Sequence, residues 1–157
     1  MSHMGSFGGQ IVPCAEAKQA SWLDIRLQLW SDGSPEEMTS EMEAFCADPE
    51  RFAQFLYLST EGLALGLIEV ALRMDYVNGT ESSPVAFLEG IYVAPGSRRR
   101  GISRALVAAA ETWAETRGCT EFASDAPIEN TESYAMHVAL GFAETERVVF
   151  FRKAVAQ

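Results

Sequence analysis

The sequence predicts an α/β domain in which a mixed central sheet is flanked by helices. Hydrophobic periodicity gives the element order β-α-α-β-β-β-α-β-α-β, which is typical of helices packed on the faces of one sheet. The 157 residues are enough for one core, and 48% hydrophobic with 22% charged residues is ordinary for a globular protein. We expect a single domain over residues 11–157. Residues 1–10, which include His3, are interpreted as a cloning-derived tail.

The first half of the chain alternates between strand and helix patterns. The predicted elements are the strands Ile11–Cys14, Phe52–Ser59 and Leu63–Met74, with helices over Ala17–Trp30 and from Ser34 onward. Leu23, Leu27 and Trp30 share one face of the first helix, which we expect to be buried. The second helix has a clear start, because Ser34 suits the N-cap and Pro35 suits the first helical position.

The second half continues this alternation around a charged residue in an apolar strand. The predicted elements are the strands Phe87–Val93, Glu121–Ser124 and one within Ala143–Val155, with helices over Ser103–Arg117 and Thr131–Leu140. Gly118 and Gly141 are typical of helix C-caps. Glu89 lies inside the first of these strands, and Gly90 after it indicates a bulge or a close backbone approach.

The loop that follows Val93 has the most specific pattern in the sequence. Pro95 and Gly96 end the strand, and Gly101 has no side chain to keep a ligand away from the backbone. The next amides begin a helix without intrahelical partners, so they suit a phosphate group. The loop also carries four arginines, Arg98, Arg99, Arg100 and Arg104. Arginine side chains can bind phosphate oxygens in pairs, although a solvated basic loop is the alternative interpretation.

The charge balance is acidic, with a net charge of −10, and this disfavours nucleic acid as a partner. A basic loop on an acidic body indicates a polyanionic ligand at the loop and a cationic ligand elsewhere, although acidity also serves solubility. No apolar run is long enough to cross a bilayer, so we expect no membrane partner. Three cysteines and one native histidine, His137, at no metal spacing indicate free thiols, no metal and a cytoplasmic location.

Arg98, Gly101 and Ser103 resemble the Arg/Gln-x-x-Gly-x-Gly/Ala pyrophosphate loop of the GNAT superfamily of acyl-CoA-dependent N-acyltransferases, with serine at the last position. The loop lacks the Walker and Rossmann glycine patterns. Asn130 ahead of a helix that ends in Gly-Phe is similar to the second GNAT signature. Four segments resemble more narrowly the aminoglycoside 6′-N-acetyltransferases: Tyr76–Glu81, Phe87–Val93, Cys119–Asp125 and Leu140–Phe142. The resemblance implies a GNAT-like fold, acetyl-CoA as cosubstrate and acetylation of aminoglycoside antibiotics, which confers resistance.

The resemblance also implies roles for the matched positions. The cofactor-binding positions are Ile91, Tyr92, Val93, Arg98, Arg99, Arg100, Gly101, Ile102, Ser103, Arg104 and Asn130. The amides of the first three would bind the acetyl carbonyl and the pantetheine arm, the loop would bind the pyrophosphate, and the asparagine would bind the cofactor arm. The positions that would meet the aminoglycoside are Trp30, Asp32, Tyr76, Glu89, Asp125 and Glu146.

The implied chemistry requires the acceptor amine to lose a proton. Glu89 is the first candidate base, because burial in an apolar strand would raise its pKa, while a structural ion pair is the alternative. Asp125 ends a strand and is predicted to anchor the substrate, with a turn or capping role as the alternative. Trp30 and Tyr76 would stack on sugar rings or simply pack, and Glu146 would bind substrate or face solvent.

His137 stands where many GNAT enzymes have a tyrosine near the cofactor sulfur. It is therefore a candidate weak acid for the leaving thiolate, or else a satisfied histidine on its helix. Cys119 would need a neighbouring base to act as a nucleophile, and none is evident, so we expect direct attack without a covalent enzyme intermediate. Asn130 would cap its helix in either case.

Two other functions stay open on the sequence alone. An acetyltransferase for polyamines or other small cationic amines would suit the acidic body equally well. A non-catalytic acyl-CoA-binding sensor is supported by the missing tyrosine. The apolar run Val148–Phe151 would be hazardous as a free edge strand, and related enzymes exchange C-terminal strands, so we expect a homodimer.

Overall fold

The central sheet positions the other elements. In the computed structural model, which describes residues 8–19 and 21–156, the strand order is β1-β2-β3-β4-β5. The strands are β1 (Gln10–Pro13), β2 (Phe52–Leu58), β3 (Ala64–Arg73), β4 (Val85–Val93) and β5 (Phe122–Ala123). Neighbours from β1 to β4 pair antiparallel, and β5 pairs parallel to β4, so the sheet is mixed as predicted. Residues 1–7 of the predicted tail lie outside the described residues, and Gln10 already belongs to β1.

Helices cover both faces of the sheet. They are α1 (Trp22–Leu29), α2 (Pro35–Ala47), α3 (Ile102–Thr116) and α4 (Thr131–Ala139). α3 packs on one face, where Ile102 and Leu106 are buried with Ile68 of β3. Leu67 points to the opposite face and is buried there with Trp22 of α1. Within the described part of the chain, no helix combines the length and apolar character needed to cross a membrane.

A buried ion pair joins α1 to β3. Arg26 donates from Nε to Glu69 Oε2 at 2.9 Å and from Nη2 to Oε1 at 3.2 Å. Trp22 Nε1 donates to Oε2 at 3.0 Å. Both charged residues are only 3% exposed. Burial raises the pKa of the Glu69 carboxyl, and the Arg26 guanidinium opposes that rise.

Helix α1 differs from its prediction in both its start and its buried face. We predicted a helix from Ala17, which was wrong, because Ser21 has φ 73° and the helix begins only after it. The predicted buried positions Leu23 and Leu27 are only half-buried. Arg26 is buried instead, because a carboxylate in β3 binds it from inside the core.

β4 contains the bulge that Gly90 predicted. Glu69 pairs with Gly90, but the next pair along the ladder skips Glu89, which is therefore an extra residue in β4. Trp30 fills the space beside the glycine, since an added Cβ at Gly90 would lie 2.8 Å from two of its ring carbons. The bulge sets the exposed position of Glu89, and the missing side chain of Gly90 leaves room for the Trp30 ring.

The C-terminal stretch differs most from the predicted order. We predicted a final strand within Ala143–Val155, and this was wrong, because residues 143–156 form no strand in the described structure. A strand needs a neighbour to bind its backbone N–H and C=O groups, and no described strand pairs with this stretch. The apolar residues of Val148–Phe151 are consequently between 44% and 90% exposed.

Candidate active site

A cleft opens where the sheet splits between β4 and β5. The two strands pair only at Ala86 with Phe122 and at Phe87 with Ala123. β4 then continues to Val93 without a described strand on that side, so its backbone groups there are not used in a ladder. The cleft has a volume of about 600 Å³, and the residues that follow β5 and those of α4 form its opposite wall.

The cleft brings together many of the positions predicted from the sequence. Those that line it are Glu89, Ile91, Tyr92, Val93, Arg98, Ser103, Asp125, Asn130 and His137. They come from β4, the basic loop, the start of α3, the loop after β5 and α4. Carboxylates and the start of a helix thus open onto one space, as expected for a site that holds a cation beside an anion.

Other predicted positions lie outside the lining: Trp30, Asp32, Tyr76, Arg99, Arg100, Gly101, Ile102, Arg104 and Glu146. Trp30 packs against Gly90, which agrees with the packing interpretation of this residue. Tyr76 is 74% exposed in the loop between β3 and β4, and Glu146 reaches the same loop. Asp32 is exposed between α1 and α2. Of these residues, Trp30 supports the wall of the cleft, because Gly90 is part of the lining.

Two loop arginines bind carbonyl groups of the protein itself. Arg98 donates from Nε to Val93 O at 2.8 Å, and Arg104 donates from Nη2 to Ala139 O at 3.1 Å. A guanidinium has five N–H donors, so each of these side chains keeps others that can bind a phosphate. Arg98 fixes the loop to the end of β4, and Arg104 connects α3 to the end of α4.

The backbone of the basic loop contains two left-handed residues, Arg99 with φ 65° and Gly101 with φ 80°. A left-handed conformation costs a non-glycine residue about 1–2 kcal/mol, so such residues often mark a functional site. Gly101 is the N-cap of α3 and offers no side-chain acceptor to the following amides. A Cβ added at Gly101 would meet no atom within 4 Å, so these amides begin a helix beside open space.

Glu89 is exposed, contrary to the sequence expectation. The bulge removes it from the regular ladder, its side chain is 39% exposed, and Oε2 accepts a hydrogen bond from Arg73 Nη2 at 2.9 Å. The predicted burial of Glu89 is therefore absent. An exposed ion pair of this kind contributes about 0–1 kcal/mol, so a bound ammonium group can replace Arg73 at little cost.

The loop after β5 supplies an acid and an amide to the cleft. Asp125 is exposed and lines the cleft. Asn130 caps α4, because its Oδ1 accepts from Ser133 N at 3.0 Å. The capping interpretation of Asn130 is thus confirmed, and the residue also lines the cleft.

Both ring nitrogens of His137 have hydrogen-bond partners. Nδ1 lies 2.7 Å from Ser133 O, which can only accept, so Nδ1 carries the hydrogen. Nε2 lies 2.7 Å from Ser124 Oγ and accepts from this hydroxyl when the ring is neutral. His137 is thus a satisfied histidine that also lines the cleft.

Sequence reasoning missed Ser124, whose only signal is its place at a strand end directly before Asp125.

The fold and the cleft define a class of protein whose site can hold an anionic group at a helix start beside a cationic group at carboxylates. No group of three or more metal-ligating side chains comes together among the residues described. The chain belongs to the acetyltransferase (GNAT) family, whose family model matches residues 20–142.

The chain is similar over most of its length to proteins named aminoglycoside N(6')-acetyltransferase type 1. It is 50% identical over 145 residues to the one from Serratia marcescens, a match that covers 92% of this chain and 99% of the relative. It is 47% identical over 145 residues to the one from Acinetobacter haemolyticus, covering 92% of this chain and 98% of that one.

Solved structures extend the similarity to the fold. AAC(6')-Iy in complex with the bisubstrate analog CoA-S-monomethyl-acetylneamine matches with a TM-score of 0.87 and 40% identity, over 94% of this chain and 99% of that one. AAC(6')-Ih from Acinetobacter baumannii matches with a TM-score of 0.88 and 45% identity, over 95% of this chain and 100% of that one. The predicted family and its GNAT-like fold are therefore confirmed.

Proposed function

We propose that the protein transfers an acetyl group from acetyl-CoA to the 6′-amine of aminoglycoside antibiotics, which confers resistance. The amine attacks directly, without a covalent enzyme intermediate. The observation that carries this proposal is that the free edge of β4, the start of α3 and two carboxylates open onto one cleft. The names of the relatives, and the CoA-linked aminoglycoside analog bound to one similar structure, support the same reaction.

The residues of the basic loop and of β4 fit the cosubstrate. Acetyl-CoA supplies a thioester whose acyl carbon accepts the amine nitrogen. The loop amides of residues 99–104 are assigned to the pyrophosphate, because α3 begins there beside open space at Gly101. The backbone of Ile91–Val93 lies on the edge of β4 that has no ladder partner. N–H groups alternate between the two edges of a strand, and Ala94 N donates to Leu65 O of β3, so the N–H groups of Ile91 and Val93 face the cleft and can bind the acyl oxygen and the pantetheine arm. Asn130 is assigned to the same arm.

The carboxylates of the cleft are assigned to the acceptor. Glu89 and Asp125 bind the ammonium group and hold its nitrogen near the acyl carbon, and orientation of this kind lowers the barrier strongly. Glu89 is exposed to water, so it removes the first proton of the ammonium directly or through a water molecule. Tyr76 and Glu146 are assigned to the outlying sugar rings.

Cys119 has no part in this proposal. It is buried in the core cluster that contains α3, and burial raises the pKa of its thiol. A thiol kept protonated in this way supplies no nucleophile to the cleft. The three cysteines are free, which supports a reducing cytoplasm as the location.

A thiol-release assay tests the proposed function. The protein mixed with acetyl-CoA and kanamycin or tobramycin should release free thiol, and mass spectrometry should place the acetyl group on the 6′-nitrogen. Absence of thiol release across an aminoglycoside panel would contradict the proposal. A higher kcat/KM for spermidine would favour the polyamine alternative, and acetyl-CoA binding without turnover of any amine would favour the sensor.

Replacing Gly101 with alanine should weaken CoA binding. The left-handed backbone makes alanine cost about 1–2 kcal/mol of folding stability, and the methyl group enters the space beside the loop amides. Loss of one such hydrogen bond is worth about 1 kcal/mol, so CoA affinity should fall about fivefold to tenfold in calorimetric titrations.

Gly118 provides the matched control for this change. It follows the other end of α3 with the same φ of 80°, and an added Cβ there also meets nothing within 4 Å. Gly118→Ala should therefore lose similar stability but keep its CoA affinity. Equal CoA affinities for the two variants would refute the assignment of the loop.

The exposed C-terminal stretch supports a homodimer. Val148–Phe151 is strongly apolar and pairs with no described strand, so a second copy of the chain is the proposed partner. Light scattering should give the mass of two chains for the wild type. Phe150→Asp should shift the mass toward one chain, whereas Ile128→Asp, at an apolar residue that is 66% exposed elsewhere, should not. A monomeric wild type would exclude the dimer.

A further inference from the structure

The proposed reaction moves one proton from nitrogen to sulfur, and the Ser124–His137 pair is placed to carry it. We propose that this pair is a proton shuttle, which accepts the proton of the attacking amine and delivers it to the departing thiolate. The inference rests on the proposed function. It adds Ser124 as a catalytic residue and gives His137 a role different from the one its position in the sequence indicated.

The geometry of the pair is that of a polarised hydroxyl. Ser124 Oγ and His137 Nε2 lie 2.7 Å apart, and both residues line the cleft. On the other side of the ring, Nδ1 donates to Ser133 O at 2.7 Å. Phe142 contacts the imidazole edge-on, with the ring centroids 5.3 Å apart, so the ring is held in one orientation.

These hydrogen bonds fix the tautomer of the neutral His137 ring before the reaction starts. Nδ1 lies 2.7 Å from Ser133 O, which cannot donate, and 3.4 Å from Ser133 Oγ. The shorter contact requires a hydrogen on Nδ1, so the neutral ring has a lone pair on Nε2. The hydroxyl hydrogen of Ser124 points to that lone pair, which leaves the oxygen able to accept a proton from the cleft. Neutral His137 therefore cannot be the acid predicted near the sulfur until it has gained a proton.

The shuttle accounts for both protons that the ammonium group loses during the reaction. The first proton of the ammonium leaves to Glu89 or water. While the N–C bond forms, the nitrogen gives its second proton to Ser124 Oγ, which passes its own proton to His137 Nε2. The imidazolium formed is stabilised by Ser133 O at Nδ1. While the C–S bond breaks, Ser124 protonates the thiolate and takes the proton back from Nε2, so amine and thioester become amide and thiol.

Kinetics of Ser124 variants test the shuttle. Ser124→Ala should lower kcat about 100-fold, the size expected for loss of positioned proton transfer, with both KM values within about twofold of wild type. Ser124→Thr keeps a hydroxyl and should recover at least about a tenth of the wild-type kcat. Ser40→Ala removes an exposed hydroxyl on α2 and should leave kcat unchanged.

The ring of His137 gives a readout that is independent of turnover. Nitrogen-15 NMR of the protein without substrates, in mildly alkaline buffer, should find the neutral ring protonated at Nδ1 and bare at Nε2. Ser124→Ala should shift the Nε2 resonance and leave Nδ1 protonated. A neutral ring protonated at Nε2 would donate to Ser124 Oγ instead of accepting from it, and this result would overturn the shuttle.

The outcomes separate the shuttle from the function on which it rests. If the wild type acetylates no amine, the proposed function fails. If the wild type is active and Ser124→Ala keeps its kcat within about twofold, the shuttle alone fails. If Ser124→Ala and Ser124→Thr both lose CoA affinity in calorimetry, Ser124 has a structural role, which also overturns the shuttle.

Discussion

Arg26→Met is expected to destabilise the fold by about 3–5 kcal/mol, the cost of leaving one partner of a buried ion pair without its counter-charge. Arg26 binds both carboxylate oxygens of Glu69, and the two residues are each 3% exposed. Methionine fills similar space but cannot neutralise the carboxylate. Urea unfolding followed by circular dichroism measures the loss.

The loss should also depend on pH. Arg26 opposes the rise in the pKa of Glu69 that burial causes, so the pKa should rise further in Arg26→Met. A carboxyl whose pKa is raised by folding contributes stability at acidic pH and loses it as pH increases through the folded-state pKa. The difference from wild type should therefore grow from acidic to neutral pH.

The double variant Arg26→Met with Glu69→Gln is the control for this explanation. Glutamine removes the charge and still offers an oxygen to Trp22 Nε1. It should therefore recover part of the lost stability and abolish the additional pH dependence. If the double variant is less stable than Arg26→Met at neutral pH, the uncompensated charge is not the cause.

Replacing both carboxylates of the cleft should nearly abolish acetylation of the proposed acceptor. Hydrogen bonds to charged groups are worth about 1.5–3 kcal/mol each, so Glu89→Gln and Asp125→Asn should each lower kcat/KM for an aminoglycoside about 10- to 100-fold. The double variant should lose about 100- to 10,000-fold if the two effects add. The KM for acetyl-CoA should not change, because the assigned cosubstrate contacts are left intact.

Glu129 provides a control in the same loop as Asp125. It is exposed and does not line the cleft. Glu129→Gln removes the same amount of charge from the acidic surface, so it reports only the long-range attraction of a cationic substrate. If Glu129→Gln and Asp125→Asn lose similar amounts of kcat/KM, the loss comes from the overall negative potential of the protein and not from a contact of Asp125 with the substrate.

Local signals in the sequence were enough to predict most of the fold. Ser34 and Pro35 mark the start of α2, and Ser34 Oγ accepts from Glu37 N as an N-cap should. Gly90 inside an apolar run predicted the bulge in β4. The order of strands in the sheet follows the order of the chain, so each strand had only to be placed beside the one before it.

Features that depend on a distant partner could not be predicted. Arg26 is buried because Glu69, 43 residues away, lies in the core. Ser124 becomes important only beside His137, which lies on another element. Glu89 is in an apolar segment yet exposed, because the bulge and Arg73 determine its position. The C-terminal segment has strand-like composition but no described partner.

The bulge in β4 connects the interior of the protein to the wall of the cleft. Glu69 lies opposite Gly90, and Arg26, which holds Glu69, has its Cζ 4.9 Å from the centre of the Trp30 ring that covers Gly90. We therefore expect substitutions among these interior side chains to shift the neighbouring Glu89. Selectivity among acceptors can thus evolve through substitutions that never touch an acceptor molecule.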